Sequence, residues 1–309
     1  MRVLSLFDGI SCGRVALDRA GFAVDDYAAF EIDRFAVQTS QKNYPDIRRF
    51  GNVFDGDFTQ FNGYDLLLGG SPCTYWSIAK RNRETTCDGE GFKLFMQYVR
   101  ALREARPTYF LYENNYSIHQ NIKDEISAKL GVQPIMINSA LVSAQQRKRC
   151  YWTNIPGITQ PEDRGILLND IIDPEAVGWN KKSYCMTANY AGATLRNTLE
   201  RHQRTMVAVP VRIGDIGSKS QGQRVYSVYG KSICLSALTG GQGGGTGLYK
   251  IDLPDGDYVI RKLTPIEAER LQTLPDNYTA GVSNAQRYKQ VGNGWTVDVI
   301  AHILSFIPV

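Results

Sequence analysis

No run in this chain of 309 residues approaches the roughly 20 apolar residues a helix needs to cross a bilayer, so no membrane partner is expected. The opening stretch, through Gly9, holds too short an apolar run for a signal peptide. Histidine is scarce. Only His119, His202 and His302 occur, and none stands at ligand spacing from another or from a cysteine, which argues against a structural zinc site. The six cysteines are scattered without a Cys-x-x-Cys pair, as reduced thiols in a cytoplasmic protein are. Residues 239–247 are dense in glycine, yet no Gly-Lys-Ser/Thr follows, so they are not a phosphate loop. Internal repeats are absent. These absences leave a globular chain of ordinary composition, 43% apolar and 21% charged, large enough for its own core and with no metal expected.

Among what is present, Gly69-Gly70-Ser71-Pro72-Cys73 stands directly after Leu66-Leu67-Leu68. A short apolar run ending in glycines predicts a buried strand that stops at a tight turn. Pro72 fixes the backbone there and presents Cys73 at the carboxyl end of the strand, the edge where open α/β sheets bind ligands. A second run, Tyr109-Phe110-Leu111-Tyr112, ends in Glu113-Asn114-Asn115, and Gln145-Gln146-Arg147-Lys148-Arg149 precedes Cys150-Tyr151-Trp152. A nucleophile, a carboxyl group and an arginine pair at the ends of successive strands point to covalent chemistry on an electron-poor ring. Up to about residue 158, strand-like and helix-like segments alternate. Phe92, Phe95, Met96, Val99 and Leu102 recur at helical spacing until Pro107 breaks the helix. Such alternation predicts a doubly wound, mostly parallel α/β sheet.

In these residues the chain resembles the DNA (cytosine-5)-methyltransferases of compact bacterial or phage type. The resemblance rests on Pro72-Cys73, Glu113-Asn114, and Gln145, Arg147 and Arg149. It extends to the opening Phe7-Asp8-Gly9-Ile10, the stretch from Arg261 to Gln272, and Gly292-Asn293-Gly294, all in the family's order. It implies a methyltransferase that takes its methyl group from S-adenosyl-L-methionine and flips a cytosine out of double-stranded DNA. Cys73 is then the nucleophile at C6, suited to it because a thiolate is strongly nucleophilic. Glu113 donates a proton at N3, for which a raised pKa is expected of a carboxyl flanked by apolar residues. Arg147 reaches the base and its sugar or phosphate, while Arg149 and Gln145 organise the site. The cofactor would be cradled by Phe7, Asp8, Gly9 and Ile10, with Glu31 on the ribose hydroxyls and Ile32 on the adenine. Asn52, where the family usually has aspartate, still offers a carbonyl acceptor. Val53, Pro72, Leu94, Asn293 and Gly294 complete that pocket by resemblance. Asp8 resembles the choice of the animal de novo enzymes. Asn115 stands where the family usually has valine, which leaves Glu113 intact and alters the packing behind it. Residues 74–91, with Lys80, Arg81 and Arg83, resemble the loop that closes over the flipped base.

Three segments follow from these readings: a catalytic and cofactor domain over 1–158, a smaller irregular target recognition domain over 159–275, and a carboxyl-terminal return over 276–309. Within 179–231 nine basic residues face two acidic ones, a local excess of +7 in a chain whose net charge is only +4. An excess of that size is the footprint of a phosphate-binding surface, and Arg196, Arg201, Arg204, Arg212 and Arg224 are its candidate DNA contacts. Thr264-Pro265-Ile266-Glu267 has the form of a capping box, and Val297, Ile300, Ala301 and Leu304 predict a final helix. A monomer in a bacterial cell or phage-infected host is expected. A tRNA-modifying relative and an inactive DNA-binding homologue are the alternatives. The first typically carries Cys-Phe-Thr, which no cysteine here begins; the second would lose Cys73 or Glu113.

Overall fold

The computed structural model describes residues 1–77, 82–210, 225–227, 248–253 and 256–308. Leu66, Leu67 and Leu68 are wholly buried because β4 (Leu66–Gly69) is an interior strand of a seven-stranded sheet. Its other members are β1 (Arg2–Leu6), β2 (Asp26–Phe30), β3 (Arg48–Phe50), β5 (Tyr109–Asn115), β6 (Ile135–Asn138) and β7 (Lys148–Thr153). The order is β3-β2-β1-β4-β5-β7-β6. The first five run parallel, with Leu4 opposite both Ala28 and Leu67, and Leu68 opposite Leu111. Alternate residues feed opposite faces. Val3, Leu66, Leu68 and Leu111 join one apolar cluster; Leu4, Leu6, Leu67 and Tyr112 join the other.

Helices α1 (Cys12–Arg19), α2 (Arg34–Asn43), α3 (Glu90–Ala105) and α4 (Gln120–Leu130) cover the faces. In α3 the expected stripe holds: Phe92, Phe95 and Val99 are buried, and the helix ends at Arg106, just before Pro107. Chain order reverses between β1 and β4, so the crevice outside their carboxyl ends is the switch point where such sheets bind ligands. β7 departs from the simple expectation. It runs antiparallel to β5, pairing Asn115 with Arg149 and Glu113 with Tyr151. The arginine pair therefore lies at the start of a strand, not at its end, and antiparallel pairing brings that start to the same edge.

Beyond residue 158 regular structure thins to short turns and α5 (Leu195–Leu199). A second sheet follows, ordered β8-β11-β10-β9, from β8 (Met206–Pro210), β9 (Val225–Ser227), β10 (Leu248–Leu253) and β11 (Gly256–Lys262). Then come α6 (Pro265–Leu271), α7 (Asn284–Asn293) and α8 (Val297–Leu304). The capping box forms as its sequence predicts: Thr264 Oγ1 accepts the Glu267 amide, and the Glu267 carboxylate accepts the Thr264 amide. Ala268 and Leu271 of α6 share the apolar cluster of Val3 and α1, together with Val297, Ile300 and Leu304 of α8. Arg19 and Arg164 both pair with Asp298, fastening α8 to α1 and to the 159–170 stretch. Among the described residues no helix is long and apolar enough to cross a membrane, and no group of three His, Cys, Asp or Glu is placed to hold a metal.

Candidate active site

β1 ends in a loop whose backbone only a few sequences tolerate. Phe7, Gly9 and Ser11 all have positive φ, at 57°, 60° and 62°, a left-handed conformation that costs a bulky residue such as Phe about 1–3 kcal/mol. Asp8 holds the loop in that shape. Its carboxylate turns inward, accepting Ser5 Oγ at 2.6 Å, Tyr27 OH at 2.8 Å and Ser11 Oγ. Burial pushes its pKa up against those hydroxyls, so Asp8 shapes the loop from behind. Glu31, just past β2, ties the front: Oε2 accepts the Gly9 amide at 2.8 Å, and Oε1 accepts Ile32 and Asp33 amides at 2.8 and 2.7 Å. Burial raises the Glu31 carboxyl in spite of these three amides. A shallow recess beside it is lined by Asp8, Gly9, Ala29, Glu31, Arg49 and Phe50.

Ile32 is 75% exposed next to this recess, an apolar face with nothing on it. Ile10, by contrast, is buried, and its carbonyl accepts Tyr278 OH at 2.6 Å. Asn52 caps a 3-10 turn, its Oδ1 accepting the Phe54 amide, while Val53 is buried and Leu94 half-buried against the cluster of Phe92 and Phe95. Asn293 is exposed at the end of α7 and Gly294 follows it. An open left-handed glycine, an acceptor carboxylate and an exposed aliphatic face fit the amino-acid, ribose and adenine parts of S-adenosylmethionine. The residues present suit the cofactor.

The reacting edge explains its glycines. A Cβ on Gly69 would stand 2.7 Å from the Tyr98 ring, and one on Gly70 would stand 2.9 Å from the Glu113 carbonyl and 3.1 Å from its Oε2. Only glycine lets the chain pass so close to α3 at Gly69 and to β5 at Gly70. Ser71 Oγ and Tyr112 OH share a hydrogen bond of 2.6 Å, and Asn114 Nδ2 donates to the Ser71 carbonyl at 3.2 Å. The second residue of Glu-Asn thus pins the turn that carries Cys73. Pro72 precedes the 3-10 turn Cys73–Tyr75, and Trp76 behind it is wholly buried. Glu84 accepts the Gly91 amide at 3.1 Å, and Arg83 Nη1 donates to the Ser117 carbonyl at 2.7 Å, which fastens the far part of the 74–91 segment. Lys80 and Arg81 lie outside the described residues.

Glu113 sits across from this turn with both oxygens engaged. Arg149 Nε meets Oε1 at 2.9 Å, and Trp295 Nε1 donates to Oε2 at 3.1 Å. Both side chains of the pair are 12% exposed. Asn115 is buried two residues on, opposite Arg149. Arg147 is occupied within the fold. Its guanidinium is buried and donates to the carbonyls of Met186, Gly292 and Gly294, at 2.8, 3.3 and 2.9 Å. It is spent on joining three chain segments, and Arg149 is the arginine that faces Glu113. Gln145 is likewise buried, bonded to Leu271, Gln272 and Met186.

Three residues escaped the sequence reading. Trp295 follows Gly292-Asn293-Gly294 directly, a position from which it was readable. Tyr278 had no signal. Neither had Cys185, whose sulfur accepts from Arg147 Nη1 at 3.5 Å; burial would push this thiol up, but Arg147 and Arg149 outweigh it and bring its pKa below the ordinary value.

Of the five expected DNA contacts, Arg196 is 70% exposed and paired with Glu200 at 2.9 Å, and Arg201 is exposed. Arg204 is partly spent within the fold, donating to Gly192 carbonyl at 3.0 Å and Asn197 Oδ1 at 3.3 Å. Arg212 and Arg224 lie outside the described residues.

Comparison with known proteins agrees with this geometry. Type II methyltransferase M.HhaI of Haemophilus parahaemolyticus is 28% identical over 98% of this chain and 93% of its own length. Orphan methyltransferase M.SPRI of Bacillus phage SPR is 25% identical over 98% and 96%. The fold is shared with DNMT2 of Spodoptera frugiperda, with a TM-score of 0.61, 17% identity and coverage of 99% and 98%. The family model for C-5 cytosine-specific DNA methylase matches residues 1–308, and the chain belongs to that family.

Proposed function

We propose that this protein is a DNA (cytosine-5-)-methyltransferase that works through a covalent bond between Cys73 and cytosine C6, as a monomer in the cytoplasm of a bacterial cell or phage-infected host. The observation that carries the reading is the grouping of Cys73, Glu113 and Arg149 at one sheet edge, beside the Gly9–Glu31 loop. Gly9, Glu31 and Ile32 hold S-adenosylmethionine, which supplies an electrophilic methyl group to C5 when bound. The base reaches the site by leaving the duplex stack, at a cost of a few kcal/mol.

Cys73 Sγ adds to C6, and the ring electrons move toward C5. Glu113 holds a proton at N3, which neutralises charge that the addition would otherwise leave on the ring. Arg149 fixes the Glu113 carboxyl at 2.9 Å and keeps it directed at the base. After methylation a solvent water takes the C5 proton, the C5–H electron pair re-forms the C5–C6 double bond, and the Sγ–C6 pair leaves with sulfur, returning Cys73 to its thiolate. Arg196, Arg201 and the rest of the basic 179–231 segment contact the duplex.

Duplex DNA containing 5-fluorocytosine tests this, because fluorine at C5 cannot leave as a proton does. The native protein with S-adenosylmethionine is expected to give an SDS-stable adduct, and Cys73→Ala to give none. A Cys73→Ala variant that still methylates DNA would refute the assignment.

A further inference from the structure

Tyr116 comes directly after β5, three residues beyond Glu113, and its ring is 41% exposed. Two ammonium groups from separate elements converge on that ring. Lys123 Nζ, from the first turns of α4, is 4.7 Å from the ring centroid, and Lys148 Nζ, from the start of β7, is 5.8 Å away. Both fall within the roughly 6 Å range of a cation–π contact. Two ammonium groups gathered on one ring repel each other, and among the described residues neither forms an ion pair with an acidic side chain. Of the acids of α4, Asp124 accepts from Gln120 Nε2 at 2.7 Å on the same helix. A third cation stands beside them, since Arg83 donates to the carbonyl of Ser117, the residue after Tyr116.

The position gives this convergence its meaning. Lys148 stands in sequence between Arg147 and Arg149, and Arg149 pairs in register with Asn115, the residue before Tyr116. Three residues of extended chain span at most about 10 Å, so Tyr116 stands that close to Glu113. A cytosine entering at Glu113 and Cys73 carries its own phosphodiester, which stays at the rim of the site. Unpaired cations at the rim meet that polyanion, and phosphate is the group a lysine binds without regard to sequence.

We propose that Tyr116, Lys123 and Lys148 form a phosphate clamp for the DNA strand that carries the target cytosine, on the catalytic sheet and apart from the basic 179–231 segment. The ring orders the two ammonium groups in advance, and the phosphates relieve their repulsion. The proposal rests on the DNA-methylation reading for the identity of the polyanion.

The test is the affinity of the full chain for a mixed-sequence duplex, followed by fluorescence anisotropy across a NaCl series. With both lysines changed, Lys123→Gln and Lys148→Gln, the slope of log Kd against log salt should fall by about two units, one for each phosphate contact. The charge-retaining pair Lys123→Arg and Lys148→Arg should keep the native slope, and calorimetric S-adenosylmethionine affinity should stay native in both, which separates the result from misfolding. Tyr116→Phe should bind as the native protein does, and Tyr116→Leu more weakly. A native slope in the glutamine pair overturns the clamp, as does a loss seen with RNA and not with duplex DNA. The methylation reading fails separately, if the native protein incorporates no methyl group into DNA while its salt slope responds to the lysines.

Discussion

Replacing Glu31 by alanine should strike the cofactor site through two routes that can be separated. The carboxylate accepts three backbone amides, from Gly9, Ile32 and Asp33, at 2.7 to 2.8 Å. A bond to a charged acceptor is worth about 1.5–3 kcal/mol when its loss leaves the donor unpaired. Gly9 and Asp33 are half-buried and Ile32 is exposed, so water can reach the freed amides and the stability of the ligand-free protein should change little. Affinity for S-adenosylmethionine should change more. Loss of the ribose acceptor alone, at about 1.5–3 kcal/mol, weakens binding roughly ten- to a hundred-fold. Release of Gly9 from its positive φ adds a cost of reordering the loop. Glu31→Gln should fall between, because its carbonyl can still serve Ile32 and Asp33 while its amino group confronts the Gly9 N–H. Titration calorimetry gives the affinity, and thermal melting of the ligand-free protein gives the control. Native affinity in Glu31→Ala would refute the reasoning.

The same residue sets a pH dependence of opposite sign for binding and for stability. Burial raises the Glu31 carboxyl above the ordinary carboxylate range, against the pull of the three amides. A folded pKa above the unfolded one contributes stability that is present below the unfolded value and lost as pH rises through the folded value. Cofactor binding needs the ionised acceptor. Its affinity should hold at neutral pH and weaken on acidification through the raised pKa.

Gly70→Ala would place a Cβ 2.9 Å from the Glu113 carbonyl and 3.1 Å from its Oε2; methyl transfer to DNA should be lost while calorimetric cofactor affinity persists, and an active variant would exclude the close passage. Arg261 meets the buried Glu267 with two bonds of 2.7 Å, so Arg261→Ala should cost about 3 kcal/mol in urea unfolding at neutral pH. Burial opposes ionisation of Glu267 but Arg261 overrides it and lowers the pKa; that stability is present above the unfolded value and should vanish as pH falls through the folded one, so equal unfolding midpoints at neutral pH would count against the pair. Arg196→Ala and Arg201→Ala should each lower the salt slope of DNA binding by about one unit, and unchanged slopes would remove the 179–231 segment from the interface.

What was legible in the sequence was what local chemistry dictates. The run Leu66-Leu67-Leu68 before two glycines could only be a buried strand stopping sharply, and the Thr264–Glu267 box announces its own helix start. Residues that stand in motif order also come together in space: Cys73, Glu113 and Arg149 lie at one sheet edge. The partners of Arg147 were not legible because they are carbonyls of Met186, Gly292 and Gly294, up to 147 positions away in sequence, and backbone carbonyls carry no signature. The direction of β7 was hidden for a similar reason. Strand alternation fixes which side chains are buried, while parallel or antiparallel pairing depends on the connection and on the partner. The second sheet went unread because its strands are separated by glycine-rich and polar stretches.

The Glu113 cluster also defines what must move for a base to enter. Both carboxylate oxygens are taken, one by Arg149 and one by Trp295, so an incoming N3 displaces one of the two donors. Both bonds end on the same charged carboxylate, but the Arg149 contact joins two full charges and the Trp295 contact only one. On the proposed reading, Trp295 is therefore the donor expected to yield. It follows Gly294, whose carbonyl accepts Arg147 at 2.9 Å and Gln272 at 3.2 Å, so the backbone behind the indole is held from both sides. The displacement is then a rotation of the Trp295 side chain, with the Arg147 junction left in place. On the proposed reading, Arg147 keeps the carboxyl-terminal segment docked, and Arg149 holds Glu113 while Trp295 gives way.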